Sequence, residues 1–324
     1  MNKTASATTE RLIPIWQRVL QVSSVGVEDN FFDLGGDSAL ALELFDEISR
    51  AWGRDLPPVM IYHASTIAAL GALLEEPSVP RVPALVQLKS GTSNPPVFIT
   101  HGLGGTVMDF FQVLKHVRTP RAIHGMQAKG IDGVEEPFDS IEEMARYYLK
   151  AVRALQAHGP YLLIGYSLGG LVILEMAQRL AANGEKVALL AMLDSYPHIR
   201  RLSRGQRLRL AMQQMRYRIS GGRSLYTILQ SANGTRLSST MQRVRDSAFL
   251  ALERYQPRFY PGSIRFVRAA IPKDFPADPA AVWGHLAGEF VVETVPGDHL
   301  GIMTTHYEEL ANVLSRYLSE ALPS

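Results

Sequence analysis

The serine in Gly165-Tyr166-Ser167-Leu168-Gly169-Gly170 is placed for nucleophilic chemistry. Glycines on both sides of a serine permit a turn from strand to helix so sharp that larger side chains there would collide with neighbouring backbone. The hydroxyl then projects above the sheet edge, at the positive end of a helix dipole. The flanking residues suit that geometry: Tyr161-Leu162-Leu163-Ile164 is apolar and strand-like, and Leu171 to Met176 is helix-like. A serine attacks a carbonyl efficiently only when a base takes its proton and a third group orients the base.

On a serine elbow of this kind the acid and the histidine follow the nucleophile along the chain, in that order. Asp194 ends the apolar run Val187–Leu193, at the carboxyl edge where α/β sheets carry their chemistry. His299, in Gly297-Asp298-His299, falls between a strand and the last helix. Asp298 is the second candidate for the orienting acid, disfavoured because it adjoins the histidine in sequence. His101-Gly102-Leu103-Gly104-Gly105 follows a strand ending at Thr100, and a glycine-rich loop there supplies backbone N–H groups to an oxyanion. The expected donors are the amides of Leu168 and Leu103. His101 precedes the serine, the wrong order for its base, so a structural role is expected for it.

A second serine has a different logic. Ser38 closes Asp29-Asn30-Phe31-Phe32-Asp33-Leu34-Gly35-Gly36-Asp37-Ser38, follows a Gly-Gly bend and opens a helix. A phosphodiester attached there would stand at a helix N-terminus, which favours an anion. The alternative is that Ser38 is an ordinary helix N-cap.

The elements that must position these groups fall into two regions. Leu12, Ile13, Ile15, Trp16, Val19 and Leu20 recur at helical spacing, and a second helix begins near Ser38 with Leu40, Leu42, Leu44, Phe45 and Ile48 as its core face. Pro57-Pro58 is expected to stop it, and a last helix runs from about Thr66 to Leu74. Pro77, Pro80 and Pro83 mark a semi-stiff linker. Beyond it, strands at Pro96–Thr100, Tyr161–Ile164, Val187–Leu193, Ile264–Arg268 and Phe290–Thr294 alternate with helices at Ile141–Leu155, Leu171–Leu180 and Ile302–Leu322, the pattern of an α/β sheet. Residues 197–246 break that rhythm as a helical, Arg/Met/Gln-rich insertion.

With 324 residues, 46% hydrophobic and 20% charged, the chain has material for two cores. The formal charge of +2 hides an asymmetry. Residues 1–78 hold five basic residues, Lys3, Arg11, Arg18, Arg50 and Arg54, against eleven acidic ones, whereas residues 198–245 hold eleven arginines and no acid. The split points to two parts that attract each other rather than to a nucleic-acid surface. The absence of cysteine excludes disulfides, thiolate zinc sites and a cysteine nucleophile, and no metal site is expected. No apolar run has membrane-spanning length and the first residues carry no signal-peptide pattern, so a cytoplasmic protein away from membranes is expected.

Taken together, residues 9–76 resemble a peptidyl (thiolation) carrier domain of nonribosomal peptide synthetases, and residues 84–324 resemble their chain-terminating type I thioesterase. The likeness rests on the motif ending in Ser38, on Gly165–Gly170, on an acid 27 residues after the nucleophile, on Gly297-x-His299, and on Tyr255-x-Pro257-x-x-Tyr260-Pro261-Gly262. It implies a small all-α four-helix carrier bundle (1–78), a linker (79–85) and an α/β-hydrolase (86–324) whose helical lid is the 197–246 insertion. It also implies 4′-phosphopantetheine carried covalently on Ser38, a phosphopantetheinyl transferase to attach it, and upstream adenylation, condensation or acyl-loading enzymes to fill it. An acyl or peptidyl chain held there as a thioester would pass to Ser167 and leave by hydrolysis or cyclisation, with Asp194 and His299 completing the triad. Asp37 departs from the histidine that commonly precedes the modified serine. With no adenylation or condensation motif, the chain is either an excised terminal didomain or a small protein loaded in trans. A general serine esterase or lipase with a vestigial carrier, and a non-catalytic docking module, are the alternatives.

Overall fold

A computed structural model describes residues 6–77, 81–219 and 239–322. The chain divides into two compact units, Met1–Pro83 with Gly130–Glu136, and Ala84–Lys129 with Pro137–Ser324.

In the first unit three α-helices, α1 (Ala7–Leu20), α2 (Ser38–Trp52) and α3 (Ile67–Glu75), are joined by a 3₁₀ helix at Pro58–Tyr62 that makes the fourth helical segment. Ser6, Asp37 and Thr66 cap the three α-helices by accepting from backbone N–H groups of the first turn. Leu12, Trp16, Phe31, Leu44, Ile48, Ile67 and Leu70 form the core, with the Trp16 and Phe31 rings edge-to-face at 5.3 Å. Two local expectations need correction. Helix α2 ends at Gly53, whose φ of 65° gives a left-handed C-cap, and Pro57-Pro58 starts the 3₁₀ turn instead of stopping the helix. Leu42 is 45% exposed, because Ala41, Leu44, Phe45 and Ile48 already fill the i, i+3, i+4, i+7 stripe that meets the core.

The second unit is built on a seven-stranded sheet in the order β1-β3-β2-β4-β5-β6-β7. The strands are β1 (Leu85–Lys89), β2 (Ser93–Thr100), β3 (Arg121–Met126), β4 (Tyr161–Tyr166), β5 (Val187–Leu193), β6 (Tyr260–Ala269) and β7 (Ala287–Val295). Only β1 pairs antiparallel; from β3 to β7 every neighbour is parallel. Side chains alternate across this sheet into two cores. Phe98, Tyr161, Leu163, Leu190 and Phe266 pack on α5 (Ile141–Leu155) and α6 (Leu168–Ala182), whereas Val97, Ile99, Leu162, Ile164 and Val267 pack on α4 (Phe111–His116) and the last helix, Tyr307–Ala321. Both faces are thus covered, as a mostly parallel sheet requires.

The expected closing helix is broken into Gly301–Thr304 and Tyr307–Ala321. In the 197–246 insertion a 3₁₀ turn at Ile199–Arg201 leads into α7 (Arg204–Ile219), and a further helix spans Ser239–Arg254. Residues 220–238 of the insertion, residue 78 at the end of the expected carrier and 79–80 of the expected linker lie outside the described residues. Among the described residues no helix is long and apolar enough to cross a membrane.

Candidate active site

Ser167 stands between the last residue of β4 and the first of α6, with φ 55° and ψ −119°. A side-chain-bearing residue pays for that backbone conformation in strain. The packing around it explains the glycines: a Cβ on Gly169 would run into the carbonyl oxygens of Thr100 and His101. Helix α6 therefore starts pressed against the end of β2, and Leu168, its first residue, follows Ser167 directly.

Asp194 leaves the end of the neighbouring strand β5 with φ 45°. Its N–H donates to Val267 O at 2.7 Å and its Oδ1 accepts from Ala269 N at 3.1 Å, which ties the carboxylate to β6. Its Oδ2 accepts from His299 Nδ1 at 2.8 Å. A histidine that donates through Nδ1 and is neutral presents a lone pair at Nε2, and His299 Nε2 lies 3.1 Å from Ser167 Oγ. Asp194 and His299 are both buried. The imidazole stacks on Tyr166 at 4.9 Å between centroids and meets Phe275 at 4.7 Å, while the Tyr166 hydroxyl donates to His299 O at 2.7 Å. Ring contacts on two sides and a bond to its own backbone restrict the rotation of this histidine. Sequence pattern gave no notice of either aromatic neighbour.

The second candidate acid is engaged elsewhere. Asp298 pairs with Lys273 and accepts from Gly301 N at 2.8 Å. Burial pushes its pKa up, but the Lys273 ammonium, the Gly301 N–H and nearby His299 outweigh that and hold the carboxyl below its usual range.

Leu103 lies in the loop after β2. That loop adjoins Ser167, since a Cβ built on Gly102 would stand 3.5 Å from Ser167 Cβ. His101 is buried with both ring nitrogens occupied, Nδ1 2.6 Å from Gly102 O and Nε2 2.6 Å from the Tyr148 hydroxyl. Burial lowers its pKa to about 4, partly opposed by the Gly102 bond, so the ring is neutral at physiological pH.

Beneath the elbow, buried Glu175 of α6 accepts from Arg179 at 2.8 Å, from Arg258 at 3.0 Å and from the Tyr255 hydroxyl at 3.3 Å. This anchors the helix that follows Ser167 to the Tyr255–Gly262 segment, and supplies a physical role for two residues of that stretch.

In the other unit, Ser38 is the first residue of α2, and Asp37 carries the cap through Oδ1, which accepts from Leu40 N at 2.9 Å. The N-cap alternative for Ser38 therefore gives way to its neighbour. The motif before it builds the approach. Phe31 N donates to Ser65 O at 2.8 Å, Asn30 Oδ1 accepts from Phe32 N at 2.9 Å, and Gly35 turns the chain with φ 92°. A Cβ on Gly36 would strike the Phe31 ring. A serine in the first turn of a 15-residue helix fits an attached phosphodiester, since a helix N-terminus favours an anion.

Comparisons with known proteins find a family match in each of the two units. Residues 10–74 match the family described as a phosphopantetheine attachment site, the group being carried covalently on serine. The chain is 39% identical over 190 residues, 58% of its length, to a dimodular nonribosomal peptide synthase of Bacillus subtilis (strain 168), of which it spans 8%. It is 32% identical over 270 residues, 80% of its length, to malpibaldin synthetase of Mortierella alpina, of which it spans 5%. The chain is thus a small fraction of the length of these curated relatives. Among solved structures, a four-domain nonribosomal peptide synthetase superposes with a TM-score of 0.63 at 23% identity, covering 99% of this chain and 26% of that one. The NocB thioesterase domain in covalent complex with a fluorophosphonate nocardicin G analogue superposes at 0.53 and 23% identity, covering 70% of this chain and 95% of that one, a likeness of fold. The family described as a thioesterase domain matches residues 95–318, more than half of the chain, and by that match, with the attachment domain before it, the chain belongs to the thioesterase family.

Proposed function

We propose that this chain holds an acyl or peptidyl group as a thioester on 4′-phosphopantetheine at Ser38 and releases it through an acyl-enzyme on Ser167. On this reading residues 1–78 are the carrier, 79–85 the linker and 86–324 the hydrolase domain, with 197–246 as the lid over the acyl pocket. The observation that supports it most is the unbroken hydrogen-bonded run from Asp194 through His299 to Ser167, at 2.8 and 3.1 Å.

When attached, phosphopantetheine supplies the thiol that bears the acyl group and the reach to present it. The chain's own residues do the rest. His299 Nε2 takes the Ser167 proton as Oγ attacks the thioester carbonyl, and Asp194 holds the imidazole in the donating tautomer and stabilises its positive charge. The amides of Leu103 and Leu168 receive the oxyanion. The C–S bond breaks, and the proton on His299 leaves with the thiol. In the second step His299 takes a proton from water, or from a nucleophile within the acyl chain, as that group attacks the serine ester; Ser167 recovers its proton as it leaves. Water yields a free acid and an internal nucleophile yields a ring. The partners of this reaction are a phosphopantetheinyl transferase and an upstream enzyme that loads the thioester.

Turnover of acyl N-acetylcysteamine thioesters tests the nucleophile assignment. Ser167→Ala is expected to abolish acyl-enzyme formation in the intact-protein mass, whereas an acyl adduct persisting in that variant would contradict it. Rapid turnover of p-nitrophenyl esters with poor turnover of thioesters would favour the general esterase instead.

A further inference from the structure

One planar peptide carries both the Gly102 carbonyl and the Leu103 N–H, and in a trans peptide the two point in opposite directions. Whatever fixes the carbonyl therefore aims the amide. Gly102 O is held by His101 Nδ1 at 2.6 Å and by Gly105 N at 3.3 Å. A carbonyl only accepts, so His101 must carry its proton on Nδ1; a neutral ring then has a bare Nε2, which accepts from the Tyr148 hydroxyl at 2.6 Å. The opposite tautomer would set the Nδ1 lone pair against the Gly102 carbonyl and the Nε2 proton against a hydroxyl that would have to reverse.

We infer that Tyr148 of α5 is a positioning residue for the oxyanion site: by donating to the bare Nε2, its hydroxyl stabilises the His101 tautomer that the Gly102 carbonyl requires and holds the ring that fixes the Gly102–Leu103 peptide. The inference rests on the reading of the Leu103 amide as an oxyanion donor. Tyr148 is suited to the part. It is 1% exposed, and burial raises its pKa well above the ordinary tyrosine value, so the hydroxyl proton is always present to donate. The neutrality of His101 likewise follows from its burial. Tyr148 sits at an ordinary core position of an amphipathic helix, among Ile141, Met144, Ala145, Leu149 and Val152, and its ring meets the His101 ring edge-on at 6.0 Å.

The test is made on the full chain labelled with ¹⁵N-histidine, using long-range ¹H–¹⁵N spectra to assign the protonated ring nitrogen, and octylboronic acid as a probe that becomes an oxyanion mimic on Ser167. Wild type is expected to show His101 protonated on Nδ1. Tyr148→Phe, which keeps the ring and its packing, is expected to populate the Nε2–H form. Its affinity for the boronic acid should fall about tenfold or more, in step with kcat/KM, with KM nearly unchanged. His101→Asn places an amide N–H near the former Nδ1 without any tautomer to choose. In that background Tyr148→Phe should cost no further factor. An unchanged His101 tautomer and boronic acid affinity in Tyr148→Phe, or an equal loss in both backgrounds, would overturn the inference. Failure of the nucleophile reading looks different: wild type and Ser167→Ala would then bind the boronic acid equally, while the histidine spectra would still decide whether Tyr148 governs His101.

Discussion

Ser167 and Asp194 leave adjacent parallel strands in the same rare half of backbone space, at φ 55° and 45°. The Ser167 N–H donates to Leu193 O at 2.9 Å, the residue just before Asp194, and the Asp194 N–H donates across to Val267 O at 2.7 Å. Two non-glycine residues are thus held in unfavourable conformations by the sheet they terminate, which costs on the order of 1–3 kcal/mol each. Ser167→Gly is accordingly expected to be more stable than Ser167→Ala by about 1 kcal/mol, since both remove the hydroxyl and only glycine accepts the backbone without strain. Urea denaturation of the two variants measures this, and equal midpoints would show that no strain is stored at the elbow.

Asp194→Asn keeps the shape of the side chain but can offer an N–H to His299, which would turn the imidazole's lone pair to the wrong nitrogen. The expected outcome is a fall in kcat of about 10⁴ with the fold intact, read by single-turnover acylation beside circular dichroism. Asp298→Asn, which disturbs the ion pair to Lys273 instead, is expected to cost far less. A reversal of that order would move the orienting role to Asp298.

Acid should unfold the hydrolase unit partly through His101. The folded ring binds a proton only near pH 4, held down by burial, whereas the unfolded side chain binds one near 6.5. Between those values the unfolded chain holds about one extra proton, so stability is full above pH 6.5 and declines as pH falls toward 4, by up to about 3 kcal/mol. His101→Asn is less stable at neutral pH but should lose that part of the acid slope. Parallel slopes for wild type and variant, in denaturant melts from pH 7 to 4, would refute this.

The arginine-rich insertion is less uniformly available than its composition suggests. Arg200 pairs with Glu253, and Arg201 donates to the Arg254 carbonyl at 2.6 Å. Arg204, Arg207 and Arg209 are exposed on α7. If the acidic first unit is drawn toward the insertion, reversing those three to glutamate should slow acyl transfer from carrier to Ser167 several-fold at low salt and flatten its salt dependence. An unchanged salt slope would dismiss the attraction.

Strands β4 and β5 were legible because uninterrupted apolar runs end at turns, and β6 and β7 because β-branched and aromatic residues cluster there despite Arg265 and Glu293; the residues singled out after β4, β5 and β7 lie within hydrogen-bonding reach of one another. Strands β1 and β3 were not. In Arg121–Met126 a histidine and a glycine interrupt the run, and Leu85–Lys89 is a half-exposed edge strand following a proline-rich stretch. Leu42 shows the limit of periodicity, which ranks faces without saying which leucine is surplus. The partners that orient the site, Tyr148 for His101, Phe275 for His299 and Lys273 for Asp298, arise from packing between segments 24 to 47 residues apart or from loops. Nothing local in the sequence marks them.

Intact-protein mass spectrometry of the full chain, after a phosphopantetheinyl transferase and an acyl-coenzyme A, tests the central claim most directly. Wild type, Ser38→Ala and Ser167→Ala are followed side by side. The account predicts an acyl-phosphopantetheine mass that requires Ser38, that wild type sheds and that Ser167→Ala retains. Loading on Ser38→Ala, or equal release by wild type and Ser167→Ala, would contradict it.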